Sequence, residues 1–170
     1  MRQSQRVSTG AIVTALAVVL LYSSCMMPTM QLTVVAAAGI LTAAVMIEAG
    51  TGLSVMVYAA VSLLSVLILP DKSSGVFYMF FFGHYPIVKY HLECIKNPVL
   101  CWAAKLAAGN LCIAVVCLIL HLFFPEWAFE YALWIIWVMC NLVFVLFDIA
   151  MTRLLVYYQY RIRPRIFRSR

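Results

Sequence analysis

Residues 32–69 read LTVVAAAGILTAAVMIEAGTGLSVMVYAAVSLLSVLIL, and this stretch decides the class of fold. It holds two apolar runs that are separated by the turn Gly50-Thr51-Gly52, and its single charged side chain is Glu48. A transmembrane helix needs about 20 mainly apolar residues, so each run is close to the length that crosses a bilayer. The stretch therefore predicts two membrane helices joined by a tight return.

The composition of the whole chain extends this prediction to all 170 residues. Hydrophobic residues make up 66% and charged residues 11%, and the mean hydropathy is +1.02. A soluble domain of this size cannot bury so much apolar surface, whereas lipid can solvate the outer faces of membrane helices. We therefore predict an all-α, polytopic integral membrane protein with one transmembrane domain (residues 1–170).

Six apolar segments can be placed along the chain, and the fourth is the least regular. It contains Gly83 and Pro86, and it carries His84 and Lys89, so a re-entrant segment remains an alternative to a full span. Pro86 removes a helical hydrogen bond and predicts a break at Phe82–Pro86. The predicted segments run from about Val7 to Met26, Leu32 to Ile47, Leu53 to Leu69, Val76 to Tyr90, Val99 to Phe124, and Glu126 to Tyr158.

The distribution of charge predicts the orientation of these segments. Positive residues favour the cytoplasmic side, and an even number of spans places residues 1–6 and the basic tail 159–170 on that side, with six spans across residues 7–158. The net charge of +6 is then explained by topology rather than by a nucleic-acid partner. The cytoplasmic residues would be Arg2, Arg6, Lys89, His91, Lys96, Lys105, Arg153, Arg161, Arg163, Arg165, Arg168 and Arg170, and the outer side would hold Asp71, Lys72, Glu126 and Glu130.

No residue pattern in the sequence predicts catalysis or metal binding. The six cysteines lack a Cys-x-x-Cys spacing, the three histidines are scattered, and no glycine-rich phosphate loop is present. Membrane enzymes usually concentrate acids or histidines at membrane depth. We therefore expect a protein that is not an enzyme and that has no cofactor and no metal site.

Polar and aromatic side chains recur on one face of the last segment. Glu130, Trp134, Asn141 and Asp148 fall close together at 100° per residue, and His121 lies at a similar depth on the preceding segment. Two interpretations stay open for this face. It is either a hydrogen-bonded packing surface with a tryptophan at the membrane interface, or one wall of a ligand pocket that opens outward.

Two further pairs of residues have a predicted role. Glu48 and Lys89 end their segments near the same predicted face of the membrane, so we predict that they form an ion pair that neutralises both charges. Ala11 and Ala15 have the small-xxx-small spacing that lets helices approach closely. That motif is compatible with packing inside the protein or with docking onto another membrane subunit.

Together, these features resemble the substrate-binding (S) subunits of energy-coupling factor (ECF) transporters. The likeness rests on six spans in a short chain and on a basic N-terminus that leads into Thr9-Gly10-Ala11-Ile12-Val13-Thr14-Ala15. The stretch Phe82-Gly83-His84-Tyr85-Pro86-Ile87-Val88-Lys89 also resembles a motif of small uncharacterised membrane proteins with S-subunit-like architecture.

This resemblance implies a location in a bacterial-type plasma membrane, a function and a set of partners. The chain would bind a vitamin or another small molecule at its outer face, near Tyr78, His121, Glu130 and Trp134. Besides membrane lipid, its partners would be a transmembrane T subunit, which contacts Ala11 and Ala15, and two ATPase subunits. The alternative is a membrane scaffold or assembly factor that acts only through helix packing.

Overall fold

Helices account for nearly all of residues 3–123 and 133–162, which the computed structural model describes. Five of the helical regions are long and apolar enough to cross a membrane, which suggests a multi-pass membrane protein and agrees with the all-α prediction. The helices are α1 (Gln3–Ser24), α2 (Gln31–Ala49), α3 (Thr51–Ile68), α4 (Lys72–Phe77), α5 (Tyr85–Leu92), α6 (Pro98–Phe123) and α7 (Leu133–Tyr157). A 3₁₀ turn (Pro28–Met30) precedes α2, and π-helical turns follow α4 (Tyr78–Phe82) and α7 (Tyr158–Ile162).

Local sequence explains where the long helices end. Gly50 adopts a φ of 85° between α2 and α3, a left-handed conformation that glycine reaches without steric cost, and its N–H donates to the Met46 carbonyl at 3.0 Å. This confirms the predicted return. The predicted ends of the long helices agree with the observed ones to about one helical turn, except that the start predicted near Glu126 lies outside the described residues.

The fourth apolar segment is one helical region with an interruption in its middle. α4 leads into the π-helical turn Tyr78–Phe82, where the Gly83 N–H donates to the Tyr78 carbonyl at 2.7 Å. Pro86 lies in the first turn of α5, a position that needs no N–H donor. The predicted break is therefore present, but it begins before Pro86, at the widened turn.

The helices run between two ends of the bundle. One end holds the start of α1, the Gly50 turn, the link between α5 and α6, and the end of α7, and we call it the terminal end. We call the opposite end the far end. The interrupted segment touches both halves, since Ser74 lies 3.0 Å from Ser24 at the end of α1, whereas Lys89 contacts Thr152 of α7. Its two ends therefore contact opposite ends of the bundle, but it is not one of the five helical regions that are long and apolar enough to cross a membrane, so the choice between a full span and a re-entrant segment stays open.

Aromatic rings fill the centre of the bundle around the interruption. Phe82 packs edge-on against Phe147 with the ring centroids 4.8 Å apart, and Tyr85 packs against Phe144 at 4.9 Å. Gly39 on α2 provides the space for the interrupted segment, because an added Cβ would lie 2.5 Å from the Phe82 carbonyl oxygen. This packing holds α5 against α7 and fixes the polar side chains of these two helices relative to each other.

A buried charge cluster beside a cavity as the candidate functional site

Four ionisable side chains from the last three helices form one cluster. Lys89 of α5 pairs with the Asp148 carboxylate of α7 and lies 3.4 Å from Glu93, which follows the end of α5. Lys105 of α6 lies 2.8 Å from Glu93 and 3.4 Å from Asp148. Each lysine therefore contacts both carboxylates, and two positive and two negative charges balance.

Neutral groups complete the hydrogen bonding of the buried pair. The Tyr85 hydroxyl donates to Asp148 Oδ1 at 2.7 Å. Lys89 Nζ donates to the Asp148 carbonyl at 3.0 Å and to Thr152 Oγ1 at 2.6 Å. Because an ammonium has three donors, Lys89 is saturated by these partners and by the carboxylate of Asp148.

Three of the four charged residues are buried, and the fourth, Glu93, is exposed at the surface. Lys89 and Asp148 are each 3% exposed and Lys105 is 6% exposed, whereas the side chain of Glu93 is 45% exposed. Lys105 and Asp148 lie roughly 10–14 Å inside the terminal ends of α6 and α7, at 1.5 Å per residue. Ionisable groups at such depth in a membrane helix are costly, and they pair and mark functional positions.

A cavity of about 430 Å³ adjoins the cluster between α2, α5 and α7. α2 contributes Met46 and α7 contributes Leu155 to its apolar walls, while Lys89, Glu93 and Thr152 give it a polar side. Lys89 of α5 belongs to both the charge cluster and the cavity wall. Together they combine an apolar surface with a few fixed polar groups, which is the usual composition of a small-molecule site.

A second polar cluster ties three helices together at the far end. Gln31 Nε2 lies 2.6 Å from Asp71 Oδ2 and 2.8 Å from Ser74 Oγ, and the Ser24 hydroxyl donates to Ser74 at 3.0 Å. Asp71 also accepts from the Ser73 N–H and so caps α4. These contacts serve the packing of α1, α2 and α4, and the Asp71-x-Ser73 pattern is the sequence signal for the cap.

The residues predicted to bind a ligand at the outer face are only partly described. Tyr78 is 0% exposed, and its hydroxyl lies 2.8 Å from Thr42 Oγ1, so its side chain belongs to the core. Glu130 lies outside the described residues, as do the side chains of His121 and Trp134. The outer ligand region therefore stays a prediction.

The polar face predicted on the last segment divides into two parts within the described residues. Asn141 of α7 donates to Asn110 of α6 at 3.0 Å, which is a packing contact between neighbouring helices. Asp148 belongs to the charge cluster. Sequence reasoning placed Asp148 on the correct face but missed its role, because Lys89 lies 59 residues earlier in the chain and no local spacing connects the two.

The pairing of Lys89 differs from the sequence-based expectation. The sequence predicts Glu48 as its partner, whereas the structure pairs Lys89 with Asp148 and Glu93. Glu48 accepts a hydrogen bond from the Tyr158 hydroxyl at 3.2 Å. The predicted partner of Lys89 is therefore wrong, and its charge is neutralised instead by Asp148 of α7 and by Glu93, which follows α5.

The small-xxx-small motif of α1 lies on the outside of the bundle. Ala11 and Ala15 are exposed, and the inner side of the helix is formed by Gly10, Ala17 and Leu21, which are buried. An added Cβ on Gly10 would lie 3.3 Å from Leu53 of α3. Packing inside the protein therefore uses a different face of α1 from the one that carries the motif.

Metal-binding groups are not concentrated in the part of the chain that the structure describes. Within residues 3–123 and 133–162, no group of three or more His, Cys, Asp or Glu residues could hold a metal ion. Cys112 Sγ lies 3.3 Å from His84 Nε2, which is a contact of two residues only. The expected lack of a catalytic or metal site stays a prediction.

No family model, no curated protein and no solved structure matches this chain.

Proposed function

We propose that this chain is a six-pass membrane protein with cytoplasmic termini and that it is the substrate-binding subunit of an ECF-type importer of a vitamin or other micronutrient. The charges of the described residues support this orientation. Arg6, Lys96, Arg153 and Arg161 are exposed around the terminal end, whereas the far end holds Lys72 beside Asp71. This asymmetry matches the positive-inside rule if the terminal end faces the cytoplasm.

The exposed motif of α1 is the observation that carries the proposal. Small side chains at Ala11 and Ala15 leave room for a second helix to approach the α1 backbone, which membrane helices use for association. The bundle itself packs against the other side of α1. We propose that a transmembrane T subunit occupies this face. Two ATPase subunits bound to the T subunit supply the energy for transport, because the sequence of this chain contains no glycine-rich phosphate loop.

Bulky substitutions on this face test the docking. Ala11→Trp or Ala15→Trp should abolish co-purification with the T subunit and leave the helical content of the isolated chain unchanged, because both side chains point out of the bundle. Met56→Trp is the matched control, since Met56 is 69% exposed on α3. Co-purification and circular dichroism measure the two effects. If the complex with the T subunit stays intact in both Ala11→Trp and Ala15→Trp, the docking role is contradicted.

A second substitution tests the outer ligand region. We expect Trp134→Ala to weaken ligand binding by about 1–3 kcal/mol, as the loss of an aromatic anchor does. The ligand is first identified by mass spectrometry of small molecules released from the purified protein and is then titrated by calorimetry. Trp102→Ala at the terminal end is the control and should bind as the wild type does. Equal affinities of wild type and Trp134→Ala would remove Trp134 from the site.

A membrane scaffold or assembly factor is the second candidate. It is favoured by the burial of Tyr78, one of the four side chains assigned to the outer ligand region, and it uses the α1 face equally well. The same mass spectrometry separates the two functions. A scaffold would co-purify with its membrane partner through Ala11 and Ala15 and release no stoichiometric small molecule.

A further inference from the structure

We propose that the cavity between α2, α5 and α7 binds a small organic anion with an apolar body and that Lys89 recognises the anionic group. The cavity lies near the terminal end of the bundle. It shares no residue with the outer ligand region of Tyr78, His121, Glu130 and Trp134, so the two proposals stand independently.

The walls of the cavity fit an amphipathic molecule. Ala43, Met46 and Ile47 line it from α2, and Leu155 and Val156 line it from α7. Its volume of about 430 Å³ falls in the range of about 300–1,000 Å³ that small-molecule sites occupy. An apolar body would rest between α2 and α7, with its polar group toward α5.

The cavity wall itself holds one cation and one carboxylate, Lys89 and Glu93, but the terminal end in which it lies carries an excess of positive charge. Among the described residues of the terminal end, six cationic side chains stand against three carboxylates. Clefts with low-dielectric walls focus such a field and raise the local concentration of the opposite charge. The cations are Arg6, Lys89, Lys96, Lys105, Arg153 and Arg161, and the carboxylates are Glu48, Glu93 and Asp148.

The charge cluster allows Lys89 to exchange partners. If its ammonium turns to a ligand, Lys105 still lies within 3.4 Å of Asp148 and 2.8 Å of Glu93. The Tyr85 hydroxyl continues to donate to Asp148. No buried carboxylate is then left without a donor, which avoids the large cost of an unpaired buried charge.

A cationic ligand would bind at Glu93, the carboxylate in the cavity wall. Glu93 is the exposed carboxylate of the cluster, but its Oε1 atom already contacts both Lys89 and Lys105. A cation that approached Glu93 would therefore stand beside two ammonium groups in a low-dielectric site, where like charges repel strongly. An anion at Lys89 likewise approaches the carboxylates of Asp148 and Glu93, so the preference for a negative ligand rests on the net positive charge of the terminal end.

Three probes that differ in their polar group test this selection. They are 4-phenylbutyrate, 4-phenylbutanamide and 4-phenylbutylamine, and their binding to the full chain in lipid nanodiscs is measured by saturation-transfer NMR against empty nanodiscs. We expect saturable binding of the carboxylate that is at least tenfold tighter than that of the amide or the amine. Equal binding of all three probes would overturn the proposal.

Two variants assign the binding to this cavity. Lys89→Gln should weaken carboxylate binding at least tenfold, whereas Lys72→Gln, which changes a lysine at the far end, should leave it unchanged. Val156→Trp narrows the cavity from a position that is 46% exposed and leaves the charge cluster intact, so it decides the matter even if Lys89→Gln fails to fold. Wild-type carboxylate affinity in Val156→Trp would reject the site.

Discussion

At the scale of single residues, Gly39 determines how closely the interrupted segment approaches α2. A Cβ at this position would lie 2.5 Å from the Phe82 carbonyl oxygen and 3.2 Å from the Phe82 Cβ. The first contact is with backbone, which cannot rotate away. We expect Gly39→Ala to lower the free energy of unfolding by about 1–3 kcal/mol, as overpacking does, measured by denaturant titration in micelles.

Gly52 is the matched control for this substitution. It also lies in a helix, but an added Cβ would meet no atom within 4 Å. Alanine has the higher helix propensity, by roughly 1 kcal/mol, so Gly52→Ala should leave stability unchanged or raise it. A Gly39→Ala protein as stable as Gly52→Ala would show that α2 and the interrupted segment separate easily.

At the scale of elements, ion pairs join α5, α6 and α7 in addition to their apolar contacts. Asp148→Asn keeps the size of the side chain but leaves the buried Lys89 without its main carboxylate. Removing one partner of a buried pair costs about 3–5 kcal/mol, so we expect a loss of this order in the unfolding free energy. Thermal and denaturant unfolding in micelles measure it.

Glu93→Gln is the comparison within the same cluster. Since the Glu93 side chain is 45% exposed, water compensates much of its loss, and exposed ion pairs contribute about 0–1 kcal/mol. The stability of Glu93→Gln should therefore fall clearly less than that of Asp148→Asn. Equal losses would mean that water reaches both carboxylates.

At the scale of the whole molecule, the two ends of the bundle should face opposite sides of the membrane. On a background without other cysteines, native Cys94 reports the terminal end and Thr29→Cys reports the far end, because both positions are exposed. An impermeant maleimide added to intact cells should label Thr29→Cys only, since the positive end stays inside. Ser74 is unsuitable as a label site because it is 0% exposed.

If only Cys94 is labelled from outside, the orientation is the opposite of the one proposed. Labelling of both positions from outside would mean that an even number of spans connects them, so that the fourth segment does not cross the membrane. Permeabilised cells, in which both cysteines should react, provide the control for chemical accessibility.

The sequence predicts the long helices well because their signals are local. Apolar runs, Gly50 and Pro70 mark the ends of α2 and α3 without reference to any other part of the chain. The charge cluster could not be predicted in the same way, since Lys89, Lys105 and Asp148 come from three helices. Likewise, Pro86 signals a break in the fourth segment, but the π-helical turn lies where Phe81 and Phe82 pack against Phe144 and Phe147 of α7, contacts that no local pattern predicts.

The separation of Lys89 and Asp148 along the chain has a consequence for biogenesis. At about 5–20 residues per second, the ribosome takes roughly 3–12 s to make the 59 residues between them. In the proposed six-pass topology, α5 enters the bilayer during that interval, before Asp148 has been synthesised. Glu93 follows Lys89 by a single helical turn, so in this topology it would serve as a temporary counter-charge for Lys89 until α7 has been synthesised.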